Sequence, residues 1–320
     1  MIKVVAYDSL PEVEEASVNA MRQVSDRLHV VAPSVDDLAG ELADAEIFYG
    51  HHHPDVFRNA SKLRWIQSSA AGVDILIDKG LAAGGITITN ASGVHAPQVA
   101  ETAWALTLAT TRNLSTYFVQ QQQRHWELRE HIDLDGATVG IIGFGGIGRR
   151  YAQAATAFGL RILAVDNQQV GKPDFVDELW GIDRLEDLLG ESDIVVLACP
   201  YTDATHHLLN ADRFSQMKPT GVLINIARGS IVDETALMAA LKNGQIAAAG
   251  IDVCETEPLP SSSPLWDTPN LIITPHTAGL SPGRIKRLTD FFCANLRRYL
   301  NEEPLLNVVD PKLGYPPPQA

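Results

Sequence analysis

The chain has 320 residues, 45% hydrophobic and 20% charged, which suffices for two cores of ordinary size. Asp and Glu number 39 against 25 Lys and Arg, and the net charge of −14 argues against nucleic acid as a general partner. No stretch is apolar enough to cross a bilayer, and the opening MIKVVAYDSL lacks the pattern of a leader. Cys199, Cys254 and Cys293 are scattered and odd in number, so reduced thiols in a soluble, cytoplasmic protein without a membrane partner are expected.

Strand-like and helix-like text alternate from the start, the pattern of layered α/β architecture. Strands are expected at 2–7, 28–32, 45–49, 63–68 and 86–90, with helical stretches such as 12–27 between them. One long helix is expected over 97–123, opened by Pro97 and apolar on more than one face. It reads equally as a buried helix between domains or as a subunit interface, with Gln120 to Gln123 as its solvated end. Six more strands are expected at 138–142, 161–165, 193–198, 222–226, 247–251 and 271–274, enough for both halves of a doubly wound sheet. A last helix over 282–300 puts Ile285, Leu288, Phe292, Leu296 and Tyr299 on one stripe. If that stripe packs back on the first sheet, the first domain is discontinuous. The proline-rich tail from Gly314 reads as loosely held.

The run VGIIGFGGIGRR, 139–150, breaks from β-branched residues into glycines between an expected strand and an expected helix, the context a dinucleotide fingerprint requires. Gly143 permits the tight turn, Gly145 lets backbone approach a pyrophosphate, and Gly148 lets the helix lie close to the strand. Asp166 ends the next strand, where a carboxylate accepts hydrogen bonds from an adenosine ribose and repels the extra phosphate of NADP. The following NQQVGK holds no arginine cluster, only Lys172. NAD is the expected cofactor, with NADP as the alternative.

Ligands of open α/β sheets bind at the carboxyl ends of the strands. The fourth strand of this second set leads to Arg228, the fifth to Asp252 and Glu257, and the sixth to His276. Each has an ordinary structural explanation singly, as an ion pair or a satisfied buried group. Together at successive strand ends they fit reduction of a 2-keto acid. His276 is the proton donor, Glu257 favours and orients the imidazolium, Arg228 binds the carboxylate and polarises the carbonyl, and Asp252 faces the nicotinamide side.

GFGGIGR, NIARGSIVDE, GIDVCETEP and TPHTAG, in this order and spacing, resemble the NAD-dependent D-2-hydroxyacid dehydrogenase family. So do SSAAGVD at 68–74, SGVHAPQVAE at 92–101 and PLLNVVDPKLGY near the end, so that the resemblance covers nearly the whole chain. It implies the Arg228, Glu257 and His276 triad, a grip on the substrate carboxylate by the backbone amides of Ala71 and Gly72, and homodimers formed through the cofactor domains. The fold expected from residues and resemblance is α/β with two doubly wound domains. A Rossmann cofactor domain, 99–283, is inserted in a flavodoxin-like substrate domain, 1–98 and 284–320. The expected cofactor set is Gly143, Gly145, Gly146, Ile147, Gly148, Asp166, Pro200, Thr205, Ala227, Arg228, Asp252 and His276. Cys254 departs from the family, which commonly has an aromatic residue there. No regulatory extension like that of many phosphoglycerate dehydrogenases is expected, which weakens that assignment.

YGHHHPDVF puts His51, His52 and His53 at the end of the third strand. A metal is conceivable but unneeded for hydride transfer, so none is assigned. His51 and His53 are assigned instead to substrate selection, and imidazoles suit an uncharged small or medium 2-keto acid better than a phosphate. Three alternatives stay open: a reductase that prefers NADPH, an enzyme for an inorganic or phosphonate-like acid, and a non-catalytic NAD-sensing protein like the family's corepressors.

Overall fold

The computed structural model describes residues 1–8, 13–78, 81 and 84–317. The first sheet is built from β1 (Ile2–Ala6), β2 (Leu28–Val31), β3 (Ile47–Gly50), β4 (Trp65–Ser68) and β5 (Thr87–Thr89). All pairings are parallel and the order is β2-β1-β3-β4-β5, the flavodoxin-like order. Short helices α1 (Glu15–Arg22), α2 (Leu38–Leu42) and α3 (Asp74–Asp78) join the strands. The helix expected over 12–27 is thus shorter, and Glu12 lies outside the described residues. β3 and β4 are buried along their whole length because helices cover both faces of a parallel sheet, so the sequence reads as apolar runs without alternation.

The second unit opens with α4 (Ala96–Thr111) and α5 (Leu114–Gln123). The single helix expected over 97–123 is therefore two. Asn113 interrupts it in the left-handed conformation, φ 54°, which Asn adopts more readily than most residues, and its Nδ2 donates to the Glu130 carbonyl at 2.7 Å. Gln120, expected to be solvated, is buried and donates to the Glu127 carboxylate at 3.4 Å, whereas Gln121 to Gln123 are exposed. α4 packs on strands and a helix of this same unit, with Trp104 stacked on Tyr151 at 4.4 Å.

Seven strands then follow: β6 (Thr138–Ile142), β7 (Arg161–Asp166), β8 (Glu178–Gly181), β9 (Ile194–Leu197), β10 (Val222–Asn225), β11 (Ala248–Ile251) and β12 (Leu271–Ile273). Six were expected. β8 was missed because ELWG is a short edge strand with exposed ends and no apolar run. The strand ends assigned to a fourth, fifth and sixth strand therefore belong to the fifth, sixth and seventh. The sheet runs β12-β11-β10-β9-β6-β7-β8, so its first six strands follow the 3-2-1-4-5-6 order of dinucleotide-binding folds and β12 adds a seventh. Helices α6 (Gly146–Ala155), α7 (Leu185–Glu191), α8 (Ala211–Phe214) and α9 (Glu234–Lys242) link the strands, and an apolar core lies on each face.

The chain then returns as α10 (Arg284–Leu300), and its contacts divide the molecule into 1–95 with 281–320 and 96–280. All of α4 falls in the second unit and all of α10 in the first. On α10, Leu288, Phe292 and Leu296 are buried, with Phe292 stacked on Tyr49 at 4.6 Å and Tyr299 on Trp65 at 5.3 Å. A buried polar chain fixes the docking: Asn295 Nδ2 donates to Gln67 Oε1 at 3.0 Å, and the same oxygen accepts from the Thr89 hydroxyl at 2.8 Å. Of the tail expected to be loosely held, 318–320 lie outside the described residues.

Candidate active site

The glycine loop lies between the ends of β6 and β9, the point where strand order reverses. Gly143 has φ 93°, and a Cβ there would stand 2.5 Å from the Cys199 nitrogen, so the turn admits glycine alone. A Cβ on Gly148 would stand 2.2 Å from the Gly143 carbonyl oxygen, which is why α6 can start so close to the strand. The N-cap, Gly145, supplies no side-chain bond to the first helical amides, a Cβ there would meet nothing within 4 Å, and Gly145 and Gly146 are exposed. An uncapped, open helix N-terminus of this kind fits a pyrophosphate. Asp166 ends β7, with one carboxylate oxygen accepting from Phe144 N at 2.7 Å and the other from Gln168 N at 2.8 Å. These bonds fix the carboxylate against the loop and leave lone pairs for ribose hydroxyls. Lys172, the one nearby cation named from the sequence, donates to the Val176 carbonyl at 2.6 Å.

The ends of neighbouring strands β10, β11 and β12 carry the polar residues. Asn225 is buried, accepts from Ala227 N at 3.0 Å and donates to the Arg228 carbonyl at 3.0 Å, an Asx turn that sets Arg228 in extended backbone. Sequence reasoning passed over Asn225, although an Asn closing an apolar run two residues before Ala227 is a turn signal. Asp252 is 1% exposed. One of its oxygens accepts from the Thr274 hydroxyl and from Thr277 N at 3.0 Å, the other from Ala278 N at 2.9 Å, and its carbonyl accepts from His276 N at 2.7 Å. Asp252 therefore organises the turn that carries His276, a contact role the sequence did not display. His276 itself has φ 51°, a left-handed conformation this set of bonds maintains.

Glu257 meets His276 across these loops. The imidazole Nδ1 lies 2.6 Å from one Glu257 oxygen, and the other accepts from Cys254 N at 2.9 Å. Burial pushes the Glu257 carboxyl up, but the bonds from His276 and Cys254 and the charges of His276 and Arg228 outweigh it and hold it below its ordinary value. An ionised Glu257 requires the proton on Nδ1 in this bond, which leaves Nε2 as the ring nitrogen that Glu257 does not engage. Thr205, from the expected cofactor set, donates to the Pro200 carbonyl at 2.9 Å and shapes the loop after β9.

Ile147 follows Gly146 in the first turn of α6, and the four other assigned residues lie in the first unit. Ala71 and Gly72 are half-buried in the turn after β4, where Asn90 Nδ2 donates to the Ala71 carbonyl. Below that turn Ser69 donates to the Asp8 carboxylate, and His95 Nε2 lies 3.1 Å from the Ser69 carbonyl. His51 is exposed, His52 packs its ring against Tyr7 at 5.5 Å, and His53 Nδ1 accepts from Asp55 N at 3.4 Å, capping the short helix Pro54–Asn59. Among the described residues no group of three or more His, Cys, Asp or Glu could hold a metal, and no helix is long and apolar enough to cross a membrane.

The family model for the D-isomer specific 2-hydroxyacid dehydrogenase, NAD binding domain, matches residues 104–278, more than half of the chain. The chain belongs to the D-isomer specific 2-hydroxyacid dehydrogenase family. The dehydrogenase is 37% identical over 264 residues to a glyoxylate reductase of Korarchaeum cryptofilum, covering 80% of this chain and 79% of that one. It is also similar to the structure of a D-isomer specific 2-hydroxyacid dehydrogenase from Xanthobacter autotrophicus in complex with NADPH and MES, with 28% identity, a TM-score of 0.85 and coverage of 98% and 99%. The D-lactate dehydrogenase of Aquifex aeolicus, complexed with NAD and lactic acid, gives 27% identity, a TM-score of 0.76 and coverage of 93% and 96%. The dehydrogenase is accordingly an NAD(P)-dependent oxidoreductase of hydroxy-acid chemistry.

Proposed function

We propose that this dehydrogenase interconverts a small uncharged 2-keto acid, of the glyoxylate, hydroxypyruvate or pyruvate kind, with its D-2-hydroxy acid. The Glu257–His276 pair at 2.6 Å, on strand ends next to that of Arg228, carries the reading. In reduction, the Nε2 proton of His276 goes to the carbonyl oxygen as negative charge develops there, and Glu257 stabilises the imidazolium and then holds the neutral ring in place. Arg228 binds the carboxylate and polarises the carbonyl. When bound, the nicotinamide dinucleotide supplies the hydride. Gly143, Gly145, Gly146, Ile147 and Gly148 would hold its pyrophosphate, Asp166 its adenosine ribose, and Pro200, Thr205, Ala227 and Asp252 the nicotinamide side. Asp166 supports a preference for NADH over NADPH. His51 and His53 are assigned to selection of the substrate side group.

The names of the relatives support the substrate class, since one is a glyoxylate reductase and another was solved with lactic acid. The three free thiols suit a reducing, cytoplasmic setting. Initial rates with a panel of 2-keto acids, run with NADH and with NADPH, test the reading. His276→Gln should lower kcat by about 10² to 10⁴-fold while NADH binding persists. Substantial turnover in that variant overturns the assignment of His276. Phosphohydroxypyruvate as the best substrate would overturn the choice of an uncharged acid.

A further inference from the structure

Three more ionisable groups crowd the turn from which Glu257 reaches the imidazole. Glu234 is the first residue of α9, yet it does not cap that helix: Asp233 does, accepting from Ala236 N at 3.0 Å. The Glu234 carboxylate accepts instead from Glu255 N at 2.7 Å. Glu255 is gripped a second time, since its own carboxylate lies 2.7 Å from His207 Nε2. His207 is in turn fixed by its left-handed backbone, φ 47°, and by donation of its amide to the Ser230 carbonyl at 2.8 Å. The segment carrying Arg228 leans on the same peptide, because a Cβ on Gly229 would stand 1.9 Å from the Cys254 carbonyl carbon. A shift of the 254–255 peptide would thus disturb Cys254 N, the donor to Glu257, and the support of Arg228 together.

We propose that Glu234 is a positioning residue for the acid–base pair: by accepting from Glu255 N it holds the turn from which Glu257 reaches His276. The inference rests on the reading of His276 as the acid. The groups facing Glu234 are Glu255 and Glu257 on the turn and His207 on the loop after β9. Those facing Glu257, besides Glu234, are His276 and Arg228. Burial foremost, then the negative charges of Glu255 and Glu257, raise the Glu234 carboxyl against the bond from Glu255 N and the pull of His207. The Cys254 thiol in their midst is pushed up to about 11, first by burial and then by Glu234, Glu257 and Asp252. These carboxylates therefore sense one another. The charge of Glu234 is kept near Glu257 at some cost to its own ionisation.

The test separates holding from charge. Glu234→Gln keeps an acceptor for Glu255 N and removes the charge, Glu234→Asp keeps the charge but draws the acceptor back, and Glu234→Ala removes both. Glu234→Ala and Glu234→Asp should each lower kcat for glyoxylate reduction about tenfold or more with KM and NADH binding little changed, and Glu234→Gln should recover most of that loss. In the cofactor-free protein the downfield Nδ1–H signal of His276, assigned through its absence in His276→Gln, should be kept in Glu234→Gln and lost or broadened in Glu234→Asp. Wild-type kcat and an unaltered signal in Glu234→Asp overturn the inference, even if Glu234→Ala fails to fold. A signal that responds in this way while the wild type is inactive on every keto acid overturns the functional reading alone.

Discussion

Arg228, Glu257 and His276 stand out in the sequence because each is a polar residue past an apolar strand, and the structure brings the last two within 2.6 Å. Asn225 and the real partners of Asp252 could not, because their bonds go to backbone amides whose positions depend on how two loops fold. Arg228→Lys should raise KM for the keto acid at least tenfold and lower kcat, since an ammonium cannot reproduce the planar fork of the guanidinium. Steady-state kinetics with unaltered NADH binding would check it. His95 bears on stability instead. Its burial foremost, and then the charges of Arg284 and Arg287, hold its pKa below the ordinary 6.5 against the bond to Ser69. The unfolded chain therefore binds the proton more tightly, and the native state loses stability as pH falls below 6.5 toward the lowered value. His95→Gln, which still presents a donor to Ser69, should remove that share of the slope. Urea midpoints measured downward from pH 6.5 on both proteins would show it, and parallel curves would refute it.

The elements that the sequence revealed well are those whose own residues determine them. β1, β6 and β9 are apolar β-branched runs covered on both sides, so pattern and structure coincide within a residue or two. β8 carries no such run, since it is an edge strand whose pairing with β7 depends on the neighbour more than on its own composition. The break between α4 and α5 turns on one left-handed Asn with a distant carbonyl partner, which helical periodicity does not register. Helix ends give a sharper expectation. Asp233 caps α9 at the base of the proposed site, and Asp233→Ala should cost about 1 kcal/mol in denaturant unfolding. Asp233→Asn, which keeps the acceptor, should cost less.

For the whole molecule, the α/β class with two doubly wound sheets was legible because strands and helices alternate twice, with glycines opening the second series. The homodimer that the family resemblance implies would form through the second unit. There Phe118 is 62% exposed, Trp126 92% and Leu128 86%. Sedimentation equilibrium should give a dimer that Phe118→Glu weakens; a wild-type monomer at micromolar concentration would refute it. NADH should raise the melting temperature of the second unit in proportion to the logarithm of its concentration, because every assigned cofactor residue lies there.

The return of α10 to the first sheet also sets a timetable. Tyr49 and Trp65 receive Phe292 and Tyr299 only after the ribosome has made the whole inserted unit. At typical synthesis speeds the N-terminal strands wait on the order of ten to forty seconds with one apolar face uncovered. The 96–280 segment is continuous and can fold as it emerges. The nascent chain therefore passes through a stage in which the later-made half is native and the earlier-made half is the natural client of a chaperone.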